Sequence, residues 1–180
     1  MEYFDLLDEN GNKLGKTKTR GEVHRDGDWH KAVHIWIVND KGDLILQKRS
    51  NEKLTNPNMW TTSTSGHLSA GDSPVDGAIR ELSEEIGLTV NKEDLEYLFT
   101  VKEHSVHNNG TLINNKIIDV FLISKNIDIT KLKLQEEEVS EVKYISYLEF
   151  EKMVNSDSVD LVPHKELHHK LLEILHSRYN

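Results

Sequence analysis

Residues 73–87 carry start and stop signals that commit this stretch to a helix, and the rest of the chain has to be arranged around it. Ser73 can act as N-cap, and Pro74 suits the first helical position, where its missing N–H costs nothing. Asp76, three residues after Ser73, makes a variant of the capping box, and Gly87 supplies the left-handed residue at which a helix stops. At about 100° per residue, Val75, Ile79, Leu82 and Ile86 share one narrow sector, the expected core face. Glu81, Glu84 and Glu85 stand at i, i+3 and i+4 and so neighbour one another on another face. Like charges at that spacing cost a helix about 0.2–0.5 kcal/mol per pair. Glutamates so placed are ordinarily a solvated surface. A hard divalent cation with oxygen ligands, magnesium or manganese, would offset their repulsion.

The segments around the helix read mostly as strands. Tyr3–Leu7 and Lys13–Thr19 flank an Asn-Gly turn and predict an opening hairpin. A glycine-punctuated stretch follows from Arg20 to Trp29. His30–Val38, Leu44–Lys48, Trp60–Leu68, Leu95–His104, Thr111–Ile123 and Val139–Ile145 read as strands, and Ser146–Val154 and Pro163–Ser177 as helices. One helix amid strands is not the alternation of a doubly wound parallel sheet, so the expected class is α+β, a mixed sandwich. The 180 residues are expected to form one domain, with residues 1–28 as a hairpin extension and 29–180 as the core.

Composition removes several functions. The chain has no cysteine, which excludes thiolate zinc sites, disulfides and cysteine nucleophiles and makes a reducing cytoplasm the expected compartment. No apolar run is long enough to span a bilayer, and the acidic start is unlike a signal peptide, so no membrane partner is expected. A net charge of −9 is also the wrong sign for binding nucleic acid. A phosphorylated substrate would have to be accommodated locally, and a bound divalent cation does that directly.

The loop entering the helix, Ser63-Thr64-Ser65-Gly66-His67-Leu68-Ser69-Ala70-Gly71-Asp72, is poor in apolar residues and punctuated by glycine, which permits close backbone approach. Gly66 to Leu88 reads GHLSAGDSPVDGAIRELSEEIGL. It resembles the Nudix box, G-x5-E-x7-R-E-U-x-E-E-x-G-U with U aliphatic. Gly66, Arg80, Glu81, Leu82, Glu84, Glu85, Gly87 and Leu88 fall at the required spacing, and the one departure is Asp72 in place of glutamate. The resemblance implies an α/β/α sandwich with a mixed β-sheet and a pyrophosphohydrolase acting on a small diphosphate or nucleotide. It also implies a divalent ion held by Glu81, Glu84, Glu85 and the backbone carbonyl near Gly66. Arg80 would orient the glutamates, with a looser or water-mediated link to the shorter Asp72. The base would be a box glutamate or one from a later loop. Glu137, in the run Glu136–Glu138, is the candidate there, although such a run is also an ordinary solvated loop.

Beyond the box, the opening hairpin, His30-Lys31-Ala32-Val33-His34-Ile35-Trp36, Leu46-Gln47-Lys48-Arg49 and Met59-Trp60-Thr61-Thr62-Ser63 resemble the Nudix branch related to type I isopentenyl-diphosphate isomerase. That enzyme needs a cysteine where this chain has Ser65. It also needs a glutamate pair where this chain has Asn114-Asn115-Lys116, although His30 and His67 match two of its metal-binding histidines and His24 lies near a third. The departures point away from isomerisation. A non-catalytic, ligand-sensing Nudix domain is the remaining alternative. Arg49, Trp60 and His67 are expected at the substrate, with Trp60 close enough to stack on a base. The other histidines, His164 and His168 among them, are expected on the surface. A monomer or homodimer is expected.

Overall fold

The computed structural model describes residues 1–180. Two antiparallel strands, β1 (Tyr3–Leu7) and β2 (Lys13–Thr19), form the expected hairpin, with Gly11 in the left-handed region at its turn. The stretch read as a glycine-punctuated connection is instead a helix, α1 (Arg20–Asp26). Its signal is local: Thr19 and Glu22 form a reciprocal capping box, and Gly27 closes the helix in the left-handed conformation.

The centre of the molecule is β3 (Trp29–Val38), which runs parallel to β8 (Leu112–Ser124) over ten register pairs, from Trp29 with Asn115 to Val38 with Ser124. Being covered on both faces, β3 is almost continuously apolar rather than alternating. β7 (Glu96–His107) extends the sheet beyond β8 as an antiparallel neighbour. On its other edge, β3 pairs with β6 (Thr64–His67) and, at Val38 alone, with β4 (Asp43–Arg49). β4 in turn carries β5 (Trp60–Thr61) and β9 (Val139–Ser146). The expected single strand over 60–68 is thus two short ones, because residues 62–63 cross from β4 to β3. Their hydroxyls stitch the gap: Ile37 N donates to Ser63 Oγ at 2.8 Å, Ser63 Oγ donates to the Ile45 carbonyl at 2.6 Å, and Thr62 Oγ1 donates to the Ile35 carbonyl at 2.7 Å. These bonds satisfy backbone groups that the splayed strands cannot satisfy for each other.

α2 (Pro74–Ile86) lies on one face of this mixed sheet, packing Ala78, Leu82 and Ile86 against Val33, Ile35, Ile37 and Phe121. The other face is covered by α3 (Tyr147–Asn155) and α4 (Lys165–Tyr179), whose Phe150, Leu167, Leu171 and Leu175 meet Trp36, Ile118 and Val120. The α/β/α sandwich with a mixed sheet follows the sequence expectation.

Candidate metal and anion site

α2 has the bounds and caps expected of it: Ser73 accepts from Asp76 N, and Gly87 is left-handed. Its orientation differs from the expected one. Leu82 and Ile86 are buried as predicted, but Ala78, Glu81 and Glu85 join them, while Val75 and Ile79 are only partly covered. The helix sits very close to the sheet: a Cβ on Gly77 would lie 2.1 Å from Leu68 Cδ2, and one on Gly66 2.2 Å from Glu81 Cδ. Two of the three glutamates are therefore buried and only Glu84 is exposed.

Each carboxylate has definite partners. Glu85 accepts from Gln47 Nε2 at 2.8 Å and from the Thr64 hydroxyl. Arg80 Nη1 donates to Glu81 at 3.0 Å and approaches Glu84 at 3.5 Å, while its Nη2 lies 3.3 Å from Asp72 and 3.4 Å from the His67 carbonyl. The link to the shorter Asp72 is thus direct, although long. Burial pushes the Glu81 carboxyl up to about 8, and the neighbouring Glu85 charge adds to the effect. Burial also raises Glu85, against its two hydrogen bonds. Arg80 is the only cation in contact with these three acids. The site is short of positive charge, its donors are all oxygen, and the backbone at Gly66 lies against Glu81. A hard divalent ion fits that set.

The acids open onto one cleft of about 970 Å³, which Arg49, Gly66, His67, Arg80, Glu81, Glu84, Glu85 and Glu137 all line. Within the acidic run, Glu138 is paired with Lys53, Glu137 faces the cleft, and Glu136 does not. Arg49 is held by donating to the Thr55 carbonyl at 2.9 and 3.0 Å. Trp60 does not reach the cleft. It packs against the α3–α4 core, with Lys143 Nζ 4.1 Å from its ring centroid, so the expected stacking role is corrected. No phenylalanine, tyrosine or tryptophan lines the cleft.

The three histidines that the isomerase-like resemblance singled out do come together, whereas others expected on the surface are buried. His24, His30, His34 and His168 are all buried. His24 from α1, His30 from β3 and His67 from β6 gather around Phe4, with one nitrogen of each ring within 4.8 Å of the others. The Nε2 atoms of all three lack a hydrogen-bond partner. Burial holds His24 and His30 at about 4 and His67 well below its ordinary value, so all three rings are neutral at pH 7. Three neutral imidazoles suit a transition ion. Lys116, register partner of His30, brings a positive charge whose field reaches all three and opposes one. A second group forms in the same cleft, where His164, at the start of α4, meets Glu103 of β7. Sequence spacing carried no sign of the Glu103–His164 pair, whereas His24, His30 and His67 are the histidines that the resemblance to the isomerase branch had marked.

The NUDIX domain family profile matches residues 28–165. The chain is 42% identical to Nudix hydrolase 3 of Arabidopsis thaliana over 98% of its own length, but spans only 24% of that protein. It is 33% identical to an uncharacterized Nudix hydrolase of Listeria monocytogenes, covering 87% of this chain and 86% of that one. It is 29% identical to an isopentenyl-diphosphate Δ-isomerase of Saccharopolyspora erythraea, covering 91% and 81%. Among solved structures, a Deinococcus radiodurans protein superposes with a TM-score of 0.67 at 16% identity, covering 99% of this chain and all of that one. The NUDIX domain of Shewanella oneidensis NrtR, solved with ADP ribose, gives 0.59 at 19%, covering 81% and 87%. At these identities the two structures speak for the fold. The box at 66–88, the sandwich that carries it and the match over residues 28–165 establish that this chain belongs to the Nudix family.

Proposed function

We propose that this chain is a pyrophosphohydrolase, working as one Nudix domain, that cleaves the phosphoanhydride bond of a small diphosphate or of a nucleoside diphosphate linked to another group. The observation that carries the reading is the cluster of Glu81, Glu84 and Glu85 on one cleft, two of them buried and with a single arginine among them. Magnesium, or manganese, would be held by these carboxylates and the backbone near Gly66. Bound there, it would polarise phosphoryl oxygens, acidify the attacking water and shield the leaving charge.

The chain's own residues do the rest. Gln47 and Thr64 fix the Glu85 carboxylate, and Arg80 ties Glu81 and Glu84 to the loop through Asp72 and the His67 carbonyl. Arg49 and His67, on the cleft wall, face the substrate anion. Glu137, which lines the cleft, takes the proton of the attacking water as oxygen bonds to phosphorus and the bridging P–O bond breaks. A cytoplasmic location and a monomer or homodimer complete the reading, and no helix is long and apolar enough to cross a membrane. Phosphate or monophosphate release should be followed on a panel of nucleotide sugars and nucleoside triphosphates, with and without magnesium. Glu84→Gln should abolish turnover without unfolding the protein, because Glu84 is exposed. Unchanged turnover would sink the assignment. The isomerase alternative has the histidine cluster in its favour, and Ser65 and Lys116 against it. It would show as an allylic isomer formed from isopentenyl diphosphate.

A further inference from the structure

Besides the box acids, the same cleft is lined by a second group of charged and polar side chains that the proposed hydrolysis leaves unused. Lys116 of β8 is in register with His30 on β3 and with Glu103 on β7, so the three side chains stand in a row on one face of the sheet. Such a row would ordinarily pair the lysine with the glutamate. Here the Glu103 carboxylate turns instead to His164, with Oε2 2.6 Å from Nδ1, and Lys116 is left with neither an ion pair nor a side-chain hydrogen bond. It is a deep-set ammonium group that lines the cleft.

His164 is held by a carboxylate and by two neighbouring rings. Its Nδ1 is engaged by Glu103, and its ring packs edge-on against His34 at 4.7 Å and His168 at 5.6 Å. With Nδ1 committed, Nε2 is the nitrogen left for a ligand in the cleft, and no protein group bonds it. A carboxylate that holds one ring nitrogen sets both the tautomer and the direction of the other. The cleft wall carries histidine rings but no phenylalanine, tyrosine or tryptophan, and its charged and hydrogen-bonding groups are what it chiefly offers a ligand.

We propose that Lys116 and the Glu103-oriented His164 form a subsite for a terminal phosphate, so that the preferred substrates carry a diphosphate with one free end rather than one esterified at both ends. Lys116 supplies the charge, and His164, its Nδ1–H donated to Glu103, accepts at Nε2 from the P–OH of the terminal phosphate, a proton that an esterified phosphate lacks, while Glu103 is a positioning residue. The proposal rests on the hydrolase reading for the words "preferred substrates", but the subsite itself can be tested without turnover.

Binding of methylenediphosphonate, a non-hydrolysable diphosphate with free ends, is to be measured by calorimetry in magnesium buffer. Lys116→Gln should weaken it about tenfold or more, and His164→Leu several-fold. Glu103→Leu should match His164→Leu, while Glu103→Gln, whose amide oxygen still accepts from Nδ1, should stay within threefold of wild type. Affinity for ADP-ribose, whose phosphates are both esterified, should change less than threefold in every variant. Circular dichroism and thermal melting identify any variant that fails to fold, and Lys116→Met is the alternate in that event. Equal methylenediphosphonate affinity in folded wild type and in Lys116→Gln or Lys116→Met overturns the subsite, as does an equal loss for both ligands. Lysine-dependent binding without turnover of any diphosphate would leave the subsite standing and remove the hydrolase reading. Turnover with no dependence of binding on Lys116 would do the reverse.

Discussion

Gly66→Ala tests the metal site through its backbone while leaving every carboxylate in the chain. Gly66 is not in the left-handed region, so its backbone accepts an alanine. The added Cβ would lie 2.2 Å from Glu81 Cδ and 2.4 Å from Oε1, whereas ordinary contact begins at 3.4 Å. The carboxyl must therefore retreat by about 1.2 Å. Glu81 Cγ, at 2.7 Å, must shift as well, so the whole side chain turns to another setting at a cost of about 0.5–1.5 kcal/mol. The same movement pulls Glu81 from Arg80 Nη1, now at 3.0 Å, and from its position beside Glu84 and Glu85. Misplacing a group at a reacting centre by about 1 Å costs on the order of 100-fold in rate, or about 2.7 kcal/mol of barrier. The expected result is a melting temperature within a few degrees of wild type, turnover of the best panel substrate down about 100-fold, and weaker manganese binding by electron paramagnetic resonance. Turnover within threefold of wild type, with unaltered manganese affinity, would refute the claim that Glu81 must lie against the residue-66 backbone.

Three further outcomes follow from the same structure. Ser63→Ala removes the hydroxyl that joins Ile37 N to the Ile45 carbonyl. It should cost about 1–3 kcal/mol in urea unfolding, the price of stranding a buried backbone group, and a loss below 0.5 kcal/mol would contradict the stitch. His168, packed between Trp36 and Phe150, is held by burial at about 3 against an ordinary 6.5. Below pH 6.5 the unfolded chain takes a proton that the folded one refuses, so stability should fall with decreasing pH between 6.5 and about 3, by up to about 1.4 kcal/mol per unit. His168→Leu should lessen that slope in urea titrations from pH 7 to 4, leaving the part that the buried His24, His30 and His67 contribute, and an unchanged slope would clear His168 of the effect. Magnesium should raise the melting temperature of the wild type, since a ligand at 100 times its Kd adds about 2.7 kcal/mol. EDTA should reverse the rise, and Glu85→Gln should lose it; an equal rise in Glu85→Gln would place the ion elsewhere.

What could be read from the residues alone was what short-range geometry dictates. The caps of α2, its length and the i, i+3, i+4 spacing of Glu81, Glu84 and Glu85 depend only on residues within a few turns, and they stand as read. The opening hairpin is equally local. α1 was also legible, in Thr19 and Glu22, but Gly21 and Gly27 masked it as a loop. Which glutamates are buried was decided by tertiary packing, because the close approach at Gly66 and Gly77 sets how the helix is turned. The same holds for Trp60, which its neighbours draw into the core side, and for the histidines. His24, His30 and His67 come from three elements, and Glu103 meets His164 across 61 residues. Strand register alone brings Lys116 between His30 and Glu103, and a slip of one residue would turn it to the opposite face. Local spacing determines which acids can share an ion; only the long-range pairing of β3, β7 and β8 determines that Lys116 and Glu103 line the same cleft.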